Sequence, residues 1–126
     1  MRILFYDAKR YDIESFNGEK ANYPQIELDY LETDLNVRTA KLAGSYDGIC
    51  GFVSSNLGEE VLKELATQNI RFVLLRCAGY NNVDLKAAKE YGITVFRVPG
   101  YSPEAVAEFA MGLALAVNRH LHKSYI

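Results

Sequence analysis

An α/β fold built on a parallel β-sheet is the architecture this sequence predicts, and three observations predict it. Short β-rich runs alternate with helix-like segments along the whole chain. Runs such as Phe72-Val73-Leu74-Leu75 are continuously apolar, the pattern of strands covered on both faces. No internal repeat, low-complexity tract or linker interrupts the alternation, so the 126 residues read as a single core.

The elements follow in order. Strands are expected at 2–6, 26–31, 48–53, 72–76 and 94–97. Helices are expected at 12–16, 37–43, 59–68 and 85–91, with a last one beginning near Pro103 and running toward the terminus. The first strand reads as an edge-to-core strand, and 17–24 as the exposed, irregular segment. Five strands joined by right-handed crossovers give a flavodoxin-like, doubly wound (Rossmann-like) sheet. Asp84 is placed to cap the helix after it, and Gly92 suits a left-handed stop. Ser102 before Pro103 makes an N-cap and N1 proline, with Glu104 favoured by the dipole of the first turn.

Composition narrows the function. Nearly half the residues are apolar and about a quarter are charged, as in an ordinary globular domain. The net charge of −2 gives no reason to expect nucleic acid or an anionic membrane as partner. No apolar run approaches the roughly 18 residues of a membrane span, and the N-terminus lacks the stretch and cleavage site of a signal peptide. Cys50 and Cys77 each end a predicted strand and are expected to be buried, reduced and unpaired, which points to the cytoplasm.

The final helix is apolar on nearly every face from Ala105 to Val117. A helix lying on a small domain should have one polar side, so this one is expected to need cover from both sides. The stretch 119–126 then stops without a turn signal, the pattern expected of a fragment or truncated domain.

The most informative stretch is Arg76-Cys77-Ala78-Gly79-Tyr80-Asn81-Asn82-Val83-Asp84-Leu85, where a buried strand feeds a small-residue loop that opens onto a helix. Ligands of open α/β sheets sit at such carboxyl ends. Ala78 and Gly79 leave the backbone amides open to an anion; taken alone, Gly79 needs no more than a turn. With Val98-Pro99-Gly100-Tyr101-Ser102-Pro103-Glu104-Ala105-Val106-Ala107-Glu108 and the start Met1-Arg2-Ile3-Leu4-Phe5-Tyr6-Asp7, the loop resembles the D-2-hydroxyacid dehydrogenase family. The Cys-Ala-Gly-Tyr-Asn-Asn form is most similar to the fermentative D-lactate dehydrogenases, and the similarity covers essentially the whole chain.

The resemblance implies the N-terminal substrate domain of a two-domain, NAD-dependent oxidoreductase that interconverts pyruvate and D-lactate. It implies a substrate domain at 1–102 and a connecting helix at 103–126 leading toward a dinucleotide-binding half. No G-x-G-x-x-G occurs, so NAD and the family's catalytic Arg, Glu and His are assigned to that other half. His120 and His122 are not the catalytic histidine, no catalytic, cofactor-binding or metal residue is assigned here, and the chain alone is expected to be inactive. By resemblance, the amides of Ala78 and Gly79 receive the substrate carboxylate, the Tyr101 hydroxyl bonds the substrate, and Phe52, joined by Val53, walls off its side chain. Arg76 is expected to pair with a nearby acid, and Asn81 and Asn82 to organise their turn through side-chain-to-backbone bonds. Tyr80 is a candidate for packing across the domain cleft, and Cys77, without a histidine partner, is not a nucleophile. The expected partners are a small 2-oxo or 2-hydroxy acid, the dinucleotide-binding half and a second copy held through the final helix.

Rival folds fail on particular residues. A response-regulator receiver needs an acid pair after the first strand, an Asp after the third and a Lys after the fifth. Here Asp7 stands alone, the third strand ends Gly51-Phe52-Val53-Ser54, and the fifth meets Val98-Pro99. A flavodoxin needs a phosphate loop where this chain has Asp7-Ala8-Lys9-Arg10-Tyr11. The alternative of another class is a stand-alone ligand-binding or interaction module on the same fold.

Overall fold

The computed structural model describes residues 1–77, 80–98 and 103–118. Five parallel strands, β1 (Arg2–Phe5), β2 (Glu27–Tyr30), β3 (Gly48–Gly51), β4 (Phe72–Leu75) and β5 (Thr94–Arg97), form one sheet in the order β2-β1-β3-β4-β5. That is the flavodoxin-like order. It corrects one expectation: β1 is an interior strand, and β2 and β5 are the edges.

Alternation along the strands sorts side chains onto two faces. Leu4, Tyr6, Ile49, Val73 and Leu75 meet α2 (Glu59–Thr67) and α3 (Leu85–Glu90) in one core through Val61, Leu62, Leu65, Ala87 and Ala88. Ile3, Phe5, Cys50, Phe72 and Leu74 meet α1 (Arg10–Glu19) and α4 (Pro103–Asn118) in the other, through Phe16, Ala107, Ala110, Met111 and Ala114. Gly48 is required by this packing, because a Cβ there would strike the Phe72 ring.

Local signals act as expected at both ends of α3. Asp84 Oδ1 accepts from the Ala87 amide at 3.0 Å, and Gly92 takes φ +72°. The segment expected as a helix at 37–43 is a 3₁₀ turn, Thr39–Ala43, held by Asn36 and Thr39 side chains that bond nearby backbone in place of helical partners. The segment 17–24 is largely exposed but not irregular, since α1 continues to Glu19 and a 3₁₀ turn covers Lys20–Asn22.

Helix α4 rests on the sheet and α1 through its small residues, while Phe109 is 47% exposed. Cover from both sides is thus not supplied by the described residues. Ser102 and the stretch 119–126, with His120 and His122, lie outside them. Among the described residues, no helix is long and apolar enough to cross a membrane.

Candidate functional site

In a parallel sheet all the carboxyl ends face one way, so the segments after β1, β3 and β4 gather along one rim. Arg76 leaves β4 there and is buried. Its Nε lies 3.2 Å from Asp12 Oδ1 on α1, and its Nη2 donates to the Asp7 carbonyl. The guanidinium carbon lies 4.4 Å from the Phe5 ring centroid and 4.6 Å from that of Phe52. A carboxylate, a carbonyl and two aromatic rings thus replace the water stripped from the cation. Nη1 has no hydrogen-bond partner among the described residues.

Asp12 holds two groups at once. Its Oδ2 accepts the Lys9 amide at 2.9 Å, three residues back, and so closes the first turn of α1, while Oδ1 faces Arg76. The expectation of an acid beside Arg76 is met by this residue, which the sequence reading placed at a helix start without a role. Helical spacing from the N-cap was the signal available for its first task; nothing local signalled the second.

Asp7 follows β1 with φ +52°, a left-handed conformation that aspartate tolerates better than most residues. Its carboxylate accepts from Lys9 Nζ at 2.9 Å and from Ser54 Oγ at 2.7 Å, linking the loops after β1 and β3. The Lys9 hydrogen bond, opposed by burial and aided by Ser54, holds the Asp7 carboxyl below the usual carboxylate range. Lys9 is raised in turn by Asp7.

Phe52 is half-buried at the head of a tight turn. Its amide donates to Ser55 Oγ at 2.9 Å, and its carbonyl accepts from the Ser55 amide at 3.0 Å. Asn82 reaches over from the loop after β4: its Nδ2 donates to the carbonyls of Phe52 at 3.1 Å and Ser55 at 2.8 Å. That corrects the reading in which Asn82 organises its own turn. The bonds run from side chain to backbone, as expected of asparagine, but to the neighbouring loop. Leu57 and Val83 add a parallel bridge between the same two loops, and the Asp84 amide donates to the Leu57 carbonyl at 3.0 Å.

Of the other site candidates, Ala78, Gly79 and Tyr101 lie outside the described residues, as do Pro99 and Gly100. Val53 is 54% exposed beside Phe52. Tyr80 is exposed, with the Arg97 guanidinium 5.2 Å from its ring centroid. Cys50 and Cys77 are both buried. Burial pushes Cys50 up to about 12, against the pull of nearby Arg76, and also raises Cys77, so neither is poised as a nucleophile. Among the described residues, no group of three or more His, Cys, Asp or Glu is placed to hold a metal ion.

The family model for the catalytic domain of D-isomer specific 2-hydroxyacid dehydrogenases matches residues 3–121. The chain is 48% identical to 2-hydroxyacid dehydrogenase homolog 1 of Schizosaccharomyces pombe over 126 residues, covering 100% of this chain and 38% of that protein. It is 44% identical to D-lactate dehydrogenase kk1H of Curvularia clavata, over 99% of this chain and 37% of that one. The apo-structure of Escherichia coli D-lactate dehydrogenase superposes with a TM-score of 0.78 at 41% identity, over 99% of this chain and 40% of that one. The chain therefore spans under half the length of these relatives, and it belongs to the D-isomer specific 2-hydroxyacid dehydrogenase family through their catalytic domain.

Proposed function

We propose that this chain is the substrate-binding part of an NAD-dependent D-2-hydroxyacid dehydrogenase whose preferred pair is pyruvate and D-lactate. The observation that carries the reading is the joining of the Phe52 turn to the loop after β4 at the carboxyl rim of the sheet. In an open α/β sheet that rim is where a small ligand is gripped, and pyruvate presents a carboxylate, a carbonyl oxygen and a methyl group to grip.

Each feature of the substrate has a candidate partner in this chain. The amides of Ala78 and Gly79 receive the carboxylate, each such charged hydrogen bond contributing about 1.5–3 kcal/mol. The Tyr101 hydroxyl bonds the substrate, and the Phe52 ring stands against the methyl group. Excluding one extra methylene this way is worth only about 1–3 kcal/mol. Binding to this chain alone is therefore weak, on the order of millimolar.

The cofactor does not fit the described loop after β1. That loop carries the Asp7 carboxylate where a pyrophosphate would need glycine amides, and no G-x-G-x-x-G occurs in the sequence. Reduced nicotinamide, the hydride it supplies and the proton donor belong in this proposal to a dinucleotide-binding half reached through α4. A second copy meeting α4 at exposed Phe109 is part of the same proposal.

The experiment places this chain in the corresponding position of the Escherichia coli D-lactate dehydrogenase and follows NADH oxidation with pyruvate. Turnover yielding D-lactate, lost without the inserted chain, is the expected result. A soluble, folded chimera that binds NADH but never reduces a 2-oxo acid contradicts the enzyme reading and favours a stand-alone module.

A further inference from the structure

We infer that Asn82 is a positioning residue for Phe52, and that selectivity for a short substrate side chain depends on it. The inference rests on the substrate-domain reading above and adds a residue to it. Phe52 heads a turn whose internal bonds are local: its amide to Ser55 Oγ and its carbonyl from the Ser55 amide. Such bonds keep the shape of a turn without fixing where it sits. Val53 at its tip is exposed, and Ser54 ties the turn only to the loop after β1, through its hydroxyl to the Asp7 carboxylate at 2.7 Å.

Asn82 supplies the anchor on the β4 side. A carboxamide nitrogen carries two hydrogens, and both are directed to one turn, to the carbonyls of Phe52 and Ser55. Asn82 is itself fixed: the Val83 amide donates to the Tyr80 carbonyl at 3.1 Å, Val83 bridges Leu57, and Asp84 begins α3. The Phe52 backbone is thus tied to the start of α3, while its ring rests on the Arg76 guanidinium, which Asp12 holds from α1. A wall that discriminates by one methylene must be held to a fraction of an ångström, and Asn82 is the tie between its backbone and a rigid element.

Aspartate at this position has the same shape but no hydrogen to donate, and its charge repels the two carbonyls, so Asn82→Asp breaks the tie; Asn82→Ala removes it without adding a charge. In the active chimera, the ratio of kcat/KM for pyruvate to that for 2-oxobutanoate should fall about tenfold in both variants, within the roughly 10–200-fold range that one methylene commands. In a Phe52→Ala background the same substitutions should leave the ratio unchanged, because Asn82 acts through Phe52. A merely structural role lowers both rates together and leaves the ratio alone, in either background, and overturns the inference.

Hydrogen exchange on the 126-residue chain gives a second reading that needs no activity. The Ser55 and Asn56 amides should exchange about tenfold faster in Asn82→Asp, with β3 and β4 unchanged. Unaltered exchange overturns the anchor. If the unsubstituted chimera does not reduce pyruvate while exchange responds as expected, the substrate-domain reading fails and the selectivity claim with it.

Discussion

Arg76 and Asp12 form a buried ion pair, Nε to Oδ1 at 3.2 Å, with side chains 1% and 8% exposed. The pair joins the end of β4 to the first turn of α1 across the tops of β3 and β1. Removing one partner leaves the other charge buried and uncompensated. Arg76→Met and Asp12→Leu should therefore each cost about 3–5 kcal/mol of stability, and the double substitution should recover most of that loss. Urea midpoints at constant m-value check it. A double variant as unstable as the sum of the two singles contradicts the pairing.

Gly48→Ala should destabilise by about 1–3 kcal/mol, because the added methyl meets the Phe72 ring across the β3–β4 pair. Phe72→Leu in the same chain should relieve part of the clash, leaving the double variant closer in melting temperature to Phe72→Leu alone than Gly48→Ala is to the parent.

Asp84→Ala should cost about 1 kcal/mol by leaving the Ala87 amide without its acceptor. Asp84→Asn keeps an acceptor oxygen and should cost less, which denaturation of the two variants side by side will show.

Acid and alkali should act through different groups. Asp7 is depressed in the folded chain, so its contribution is present above the ordinary carboxylate range and is lost as pH falls through its folded value. Ser54→Ala weakens the clasp and should flatten the acid limb of a stability–pH profile. Cys50 is raised to about 12, so its contribution is complete below the ordinary thiol range and is lost as pH climbs toward that value. The loss should approach ~1.4 kcal/mol per pH unit, and Cys50→Ala, whatever its cost at neutral pH, should make that limb shallower. In the native chain neither thiol should react with a maleimide at pH 7 at the rate of the unfolded chain.

What the sequence made legible divides by distance along the chain. The Asp84 cap, the Gly92 stop and the five short β-rich runs are set within a few residues, and each stands where its local chemistry puts it. The 3₁₀ turn at Thr39–Ala43 escaped because side-chain bonds from Asn36 and Thr39 outweighed a helix-like pattern. The site's supports escaped for a different reason. Asn82 lies 30 residues from Phe52, and Arg76 reaches the Asp7 carbonyl across 69, spans that only the strand order brings together. Residue type showed that Arg76 needed an acid and that asparagine would seek backbone; topology decided which acid and whose backbone.

The measurement that tests the central claim most directly is an amide-resolved NMR titration of the 126-residue chain with pyruvate. Saturable shifts, on the order of millimolar, are expected at the amides of Ala78 and Gly79 and at Phe52, with α2 and the β2 edge unaffected. No shift at roughly a hundred times that concentration, or shifts gathered away from the carboxyl ends of β3 and β4, would contradict it.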